Sequence, residues 1–379
     1  MSQCKFLIVS DMHIGRPEDA NASTRLTTDT PDIPIHDNPF ESLKEFISKR
    51  QMSFDGIINL GDLTNRGFVT GLNMGMRMMR ELSLMCKCPL LCIPGNHDYC
   101  YTFPEGPNNL LKRTINYPTD DKNSNSDFWS KGYCFYSIGD ALFLICNSGK
   151  DLQTLTDNGK TPSFDNVYID GVKNDIIALN HSGPKIALIH HHVLQHSDIS
   201  GQYDSNDTID HADSFLEVLK ETGFNCILHG HKHISRYIEQ SKMVIMACGS
   251  LSALENLRIC DEPNYFHVLT VECENQHVRG KIESYYFKMK KGWLDIVDDN
   301  FSLKARYAFG YNVNLALLAQ KLTNLIPNDA PVLKIEDVKG KCPEIDFLSK
   351  QETDLLKAEF SALGFNYYPS ANGGIIYKA

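Results

Sequence analysis

Five groups of residues in this chain carry side chains able to bind metal ions. They are Asp11 and His13; Asp62; Asn96, His97 and Asp98; His190, His191 and His192; and His229, His231 and His233. Imidazole and carboxylate together suit manganese, iron or zinc rather than calcium. Phosphate-ester hydrolysis has a use for such a set, because anionic oxygens shield the reacting phosphorus. Two cations about 3.5–4 Å apart neutralise that charge, hold the phosphate in line and lower the pKa of a bound water. Holding both requires a carboxylate that can bridge them and further oxygen and nitrogen ligands on each side.

Each group directly follows a short apolar run: Phe6 to Val9, Gly56 to Leu60, Leu90 to Ile93, Ile186 to Ile189 and Cys226 to Leu228. Short apolar runs bounded by Gly and polar residues read as strands buried on both faces. Between them, Pro39 to Arg50, Gly71 to Leu84, Asp170 to Leu179 and Asp210 to Glu221 place apolar residues at helical spacing. Alternation of this kind predicts an α/β sheet with parallel pairs. Ligand sites in such sheets lie beyond the carboxyl ends of the strands, where all five groups sit. Pro17 to Asn38 and Tyr117 to Asn125 read as loops, the first placed to line the site or to lie solvated on the surface.

Asp11-Met12-His13, Gly61-Asp62, Gly95-Asn96-His97-Asp98, a His after a strand, and Gly230-His231-Lys232-His233 occur in the order found in the calcineurin-like metallophosphoesterases. The chain resembles that superfamily over roughly residues 4 to 250. The opening motif, the G-N-H-D form and the His190-His191 pair are most similar to its cyclic-nucleotide phosphodiesterase branch. The resemblance implies a four-layer α/β/β/α sandwich of two mixed sheets. It further implies that Asp11, His13 and His233 bind one metal, that Asn96, His190 and His231 bind the other, and that Asp62 bridges them. His97 would be the general acid, with Asp98 orienting it. The family usually uses the first His of such a run, which favours His190, with His191 the alternative.

The activity expected from this likeness is hydrolysis of a phosphodiester, a small molecule or a cyclic nucleotide, by a metal-bound hydroxide. Two alternatives stand beside it. A nuclease of the break-repair type has a similar opening motif. A protein Ser/Thr phosphatase usually has G-N-H-E, where Asp98 stands here.

The net charge of -10 argues against a polymer-tracking basic face. A small phosphorylated partner is therefore expected over nucleic acid. No apolar run approaches the roughly 18 residues that span a bilayer, and no secretory signal is visible, so a cytoplasmic protein without a membrane partner is expected. The twelve cysteines form no framework and read as buried thiols. Among the other histidines, His229 reads as packed, whereas His192 and His196 are candidates to face substrate. Arg66 could contact a phosphate oxygen or form an ion pair. After about Tyr286 the composition changes, which divides the chain into a catalytic domain, 1–290, and a small α+β accessory region, 291–379. Val313 to Leu325 and Phe347 to Leu363 read as its helices, and the terminal residues as a hairpin.

Overall fold

Five of the parallel strands are buried apolar runs that end just before the candidate ligand residues. The computed structural model describes residues 2–19, 23–29, 33–104, 106–152, 161–240, 243–254, 262–274, 277–296, 303–310, 314–327, 332–348, 350–369 and 374–379. One sheet contains β1 (Ser2–Val9), β2 (Gly56–Asn59) and β3 (Leu90–Cys92). The second contains β4 (Tyr133–Ile138), β5 (Ala141–Cys146), β6 (Lys185–Leu188), β7 (Cys226–His229), β8 (Ser235–Gln240) and β9 (Met243–Cys248). The chain then returns to the first sheet with β10 (Tyr265–Glu274), β11 (His277–Lys288), β12 (Gly292–Asp295) and β13 (Arg306–Phe309).

The strand orders are β12-β11-β10-β1-β2-β3, with β13 also on β11, and β4-β5-β6-β7-β9-β8. Strands β1, β2 and β3 run parallel, as do β5, β6, β7 and β9, while the remaining pairings in both sheets are antiparallel. Both sheets are therefore mixed.

Alternation along each strand builds the layers, because successive side chains point to opposite faces. Phe6 and Ile8 of β1 join Ile186 and Leu188 of β6 and Val244 and Met246 of β9 in the core between the sheets. Leu7 and Val9 face the other way, onto α1 (Pro39–Lys49) and α2 (Val69–Cys86). The Met-rich face of α2 packs here through Met76, Met78 and Met79. On the second sheet Ala187, Ile227 and Ile245 face Val172 and Ile176 of α5 (Asn166–Leu179) and Phe215 and Leu219 of α6 (Ala212–Glu221). The result is the expected α/β/β/α sandwich. The eleven described cysteines are free thiols, and most are buried.

Two short helices precede β4: α3 (Asn109–Arg113) and α4 (Lys122–Lys131). The second overlaps the expected loop of residues 117–125, which is a correction. Asp121 caps α4 by accepting from the Ser124 N–H at 2.6 Å, and Phe128 is buried between the sheets. One deeply buried aromatic anchors a helix that polar periodicity concealed.

The expected domain boundary also moves. Both β12 and β13 pair with β11, so the first sheet continues beyond residue 290 to Phe309. After it come α7 (Leu315–Thr323), β14 (Val332–Lys334), α8 (Lys350–Ala362), β15 (Phe365–Tyr368) and β16 (Ile375–Lys378). These form a three-stranded sheet, β14-β16-β15, packed on both helices around Leu318, Leu322, Leu356, Phe360 and Ile376. The terminal hairpin is present, with β14 added to it. No described helix is long and apolar enough to cross a membrane.

Candidate metal centre

The loops after β1 and β2 stay zipped beyond the strands. Asp11 N–H donates to Gly61 O at 3.0 Å, and His13 N–H to Asp62 O at 2.9 Å. From the other sheet, Gly230 N–H donates to His190 O at 3.0 Å. The two sheets meet where Ser250 Oγ donates to Asp11 O at 2.7 Å. Part of the loop before α1 folds down on this region, with Thr24, Leu26 and Thr27 buried and Gly15 N–H bonded to Leu26 O. Residues 20–22 and 30–32 of that expected loop lie outside the described residues.

Asp11, His13, Asp62, His231 and His233 all have positive φ, between 47° and 80°. For residues other than glycine this region costs of order 1–3 kcal/mol each and persists where surrounding structure enforces it. Here it turns five polar side chains into one cavity. Two glycines leave the room. A Cβ on Gly61 would approach His190 Nδ1 to 2.6 Å, and one on Gly95 would strike Asp62 Oδ1.

Two overlapping clusters result. Asp11, His13, Asp62 and His233 bring ligand atoms within 4.8 Å of one another, and so do Asp62, His190 and His231. Asp62 belongs to both. Its Oδ1 accepts from the His97 N–H at 2.8 Å. Its Oδ2 is buried without a hydrogen bond, 3.5 Å from His13 Nε2 and 3.3 Å from His190 Nε2. Asn96 Oδ1 joins the second cluster, 3.1 Å from His190 Nε2 and 3.0 Å from His231 Nδ1. In the first, His13 Nε2 and His233 Nε2 are 2.7 Å apart, and His233 Nε2 is 3.4 Å from Asp11 Oδ1.

These separations fit a metal ion in each cluster. Ligand atoms bonded at about 2.1 Å to one cation and at right angles to each other lie roughly 3 Å apart. An ionised oxygen buried without a hydrogen bond costs more than the ~1–3 kcal/mol of a neutral group, so Asp62 Oδ2 calls for positive charge beside it, from a metal ion or from the His190 imidazole 3.3 Å away. The titration behaviour agrees. Burial alone would raise the Asp11 and Asp62 carboxyls. The imidazoles of His13 and His233 around Asp11, and of His190 and His97 around Asp62, outweigh it and hold both well below the usual range. Burial opposes a charge on His190, but the charge of Asp62 prevails and pushes it up to about 9.

Outer contacts set the ring orientations. His190 Nδ1 lies 2.8 Å from Leu60 O, to which it donates, turning Nε2 to the cavity. His191 belongs to neither cluster: its Nδ1 is bonded to Ser148 Oγ at 2.7 Å, although its ring lies 4.5 Å from that of His231 between centroids. His231 Nε2 donates to Asp207 Oδ1 at 2.8 Å, which turns Nδ1 inward. Asp207 also accepts from Lys232 Nζ at 2.6 Å. Sequence reading missed Asp207, which sits in a loop without a motif.

His97 lies beside the first cluster, its ring 4.9 Å from that of His13 between centroids. Burial pushes its pKa down to about 4. Asp98 does not contact that ring through the hydrogen bonds it makes. Its Oδ1 accepts from Thr64 N–H at 3.0 Å and its Oδ2 from Gly95 N–H at 2.9 Å. Burial and the charge of Asp62 raise its pKa to about 7. The expected orienting bond is thus replaced by a clamp between two site loops. His192 and His196, expected as candidates to face substrate, are fully buried instead, packed near His229. Arg66 is exposed on the loop after Asp62. A groove of about 620 Å³ contains none of the cluster residues, and its Lys131 and Lys150 are paired with aspartates.

Among solved structures the chain is similar to a candidate 5′-nucleotidase from Staphylococcus aureus, at 13% identity and TM-score 0.44, covering 80% of this chain and 56% of that one. It is similar to vacuolar protein sorting 29 from Cryptosporidium parvum, at 12% identity and TM-score 0.39, covering 82% and 99%. It is also similar to a phosphopantetheinyl hydrolase from Mycobacterium tuberculosis, at 12% identity and TM-score 0.36, covering 65% and 90%. The chain thus spans little more than half the length of the first of these. No match was found among curated proteins. The family model for calcineurin-like phosphoesterases matches residues 4–235, a span that holds every residue of both clusters, and the chain belongs to that family.

Proposed function

We propose that this chain is a dinuclear-metal phosphodiesterase acting on a small diester, with Asp62 as the bridging ligand. The observation that carries the reading is the unbonded Asp62 Oδ2 between His13 Nε2 and His190 Nε2. Asp11, His13 and His233 are assigned to one cation and Asn96, His190 and His231 to the other. Manganese, iron and zinc all suit this oxygen and nitrogen set. When bound, the pair would supply Lewis acidity toward the phosphate and activate a water for attack.

The chain's own residues do the rest. The backbone N–H of His97 is fixed on Asp62 Oδ1, which keeps the His97 ring at the rim beside His13. In this reading His97, whose charged form burial disfavours in the free chain, takes up a proton beside the negative phosphate and delivers it to the departing oxygen. Asp98 ties the Gly95 and Thr64 amides together and so fixes the loop that presents Asn96 and His97. The Asp207 bond keeps the His231 ring from turning.

A small diester, a cyclic nucleotide among the candidates, is favoured over a polymer by the net charge of -10. The test is turnover by the manganese-loaded protein of an aryl diester, a cyclic nucleotide, a phosphomonoester and single-stranded DNA across a salt series. Efficient diester turnover with a shallow salt dependence is expected. Monoester preference, or DNA cleavage with a steep salt slope, would overturn the substrate assignment.

A further inference from the structure

Behind the centre, a third set of imidazoles converges. We propose that His192, His196 and His229 bind a further metal ion, of the zinc class, distinct from the pair bridged by Asp62. The inference does not depend on the proposed activity.

The three side chains are 0%, 2% and 0% exposed, and each offers a ring nitrogen within 4.8 Å of the others. Their ring centroids are 4.2 Å (192 to 229), 5.6 Å (192 to 196) and 6.1 Å (196 to 229) apart. Nε2 of His192, Nε2 of His196 and both ring nitrogens of His229 are buried without a hydrogen bond. The His229 ring lies against the Gly230 backbone without reaching hydrogen-bonding geometry. Buried polar atoms in folded proteins are nearly always paired, and each exception calls for a cause. Four such atoms on three rings lie together here, and a cation that accepts one lone pair from each ring accounts for three of them.

The surroundings favour a cation. Tyr203 Oη sits 2.9 Å from His192 Nδ1 and accepts from the His196 N–H at 3.3 Å. With Nδ1–H donating to Tyr203, the His192 lone pair is on Nε2, the free atom. A hydrogen bond of this kind fixes tautomer and ring direction in metal-binding histidines. Arg236, whose charge reaches His196, is itself held by Asp198, at 2.9 Å, and by Glu262. Lys232 is neutralised by Asp207. Three neutral imidazoles with a fourth position for water are a zinc ligand set. A tetrahedral site holds its nitrogens roughly 3.3 Å apart, so the three rings, now within 4.8 Å of one another, close further on the ion.

The consequence is positional. His192 follows β6, His196 leads the turn Ser197–Gln202, and His229 ends β7. An ion among them pins together the two segments that carry His190 and His231. The His192 ring is 6.4 Å from that of His231.

The experiment uses the full-length chain, stripped with a chelator and refilled with cobalt(II). Elemental analysis and the visible spectrum are read on the wild type, His196→Ala and Asp62→Asn. A tetrahedral cobalt site absorbs far more strongly than a six-coordinate one. The strong band should appear in the wild type, persist in Asp62→Asn and vanish in His196→Ala, with one ion fewer per chain in the last. A cobalt count unchanged by His196→Ala overturns the inference, and so does a wild type and Asp62→Asn that both lack the band. The Asp62→Asn spectrum decides the matter even where His196→Ala does not fold. Loss of ions in Asp62→Asn speaks only to the paired centre, so the two readings fail separately.

Discussion

Replacing Asp207 by Ala removes a single hydrogen bond from a ring that the proposed second metal site depends on. Asp207 Oδ1 holds His231 Nε2 at 2.8 Å, and nothing else in the described residues bonds that nitrogen. Without the bond the ring can turn its Nδ1 away from Asn96, and Lys232 Nζ loses its 2.6 Å partner. A hydrogen bond to a charged group contributes about 1.5–3 kcal/mol. Loss of an outer partner of a metal-binding histidine costs about 10–100-fold in affinity or activity, which is the same ~1.4–2.8 kcal/mol on the affinity scale. Asp207→Ala should therefore weaken the ion assigned to Asn96, His190 and His231 by that factor, read by titration against a metal buffer. The rate should fall in parallel at limiting metal and recover in part at excess metal. Asp207→Asn keeps an oxygen acceptor for Nε2–H and should lose less. If Asp207→Ala held both ions and turned over like the wild type, its role in orienting His231 would be refuted.

Three further outcomes are expected. His97→Ala should retain both ions and lose roughly 10²–10⁴ in rate on substrates with poor leaving groups; equal losses for good and poor leaving groups would remove the acid role. Truncation after Gly310 keeps β13 on β11 and should give a folded chain with the metal pair intact, whereas truncation before Arg306 strips that edge and the Tyr237–Tyr307 stack and should lower the melting temperature. Insolubility of the chain ending at Gly310 would show that the C-terminal unit is required for folding. Gly95→Ala should abolish metal binding, since its Cβ would strike Asp62 Oδ1 and the Asp62 amide; a variant with full metal content would show that the loop can yield.

Much of this was readable before any coordinates, and the reason is local. Each cluster residue lies within a few positions of the apolar run that becomes its strand, so Asp11, Asp62, Asn96, His190 and His231 announce themselves by position. Strand–helix alternation likewise predicts an α/β sheet with parallel pairs, whereas the four-layer sandwich is what the family resemblance implies. Asp207 escaped because its partner His231 is distant in sequence and belongs to another element. The direction of adjacent histidines escaped too. Alternation alone cannot say which of His190, His191 and His192 faces the cavity; the Leu60 carbonyl and the Ser148 hydroxyl decide it. Strands β12 and β13 have four residues each beside charged segments, and only pairing with β11 reveals them as part of the first sheet. Helix α4 rests on one buried Phe128, too little for an apolar stripe.

The central claim is that one carboxylate, Asp62, holds two ions together. Asn at position 62 preserves shape and an acceptor for the His97 N–H but replaces the bare Oδ2 with an uncharged amide. Elemental analysis of wild type and Asp62→Asn, purified and dialysed side by side, tests the claim most directly. The account predicts close to two fewer ions per chain in the variant, with the fold preserved. An equal metal content in the two proteins would contradict it.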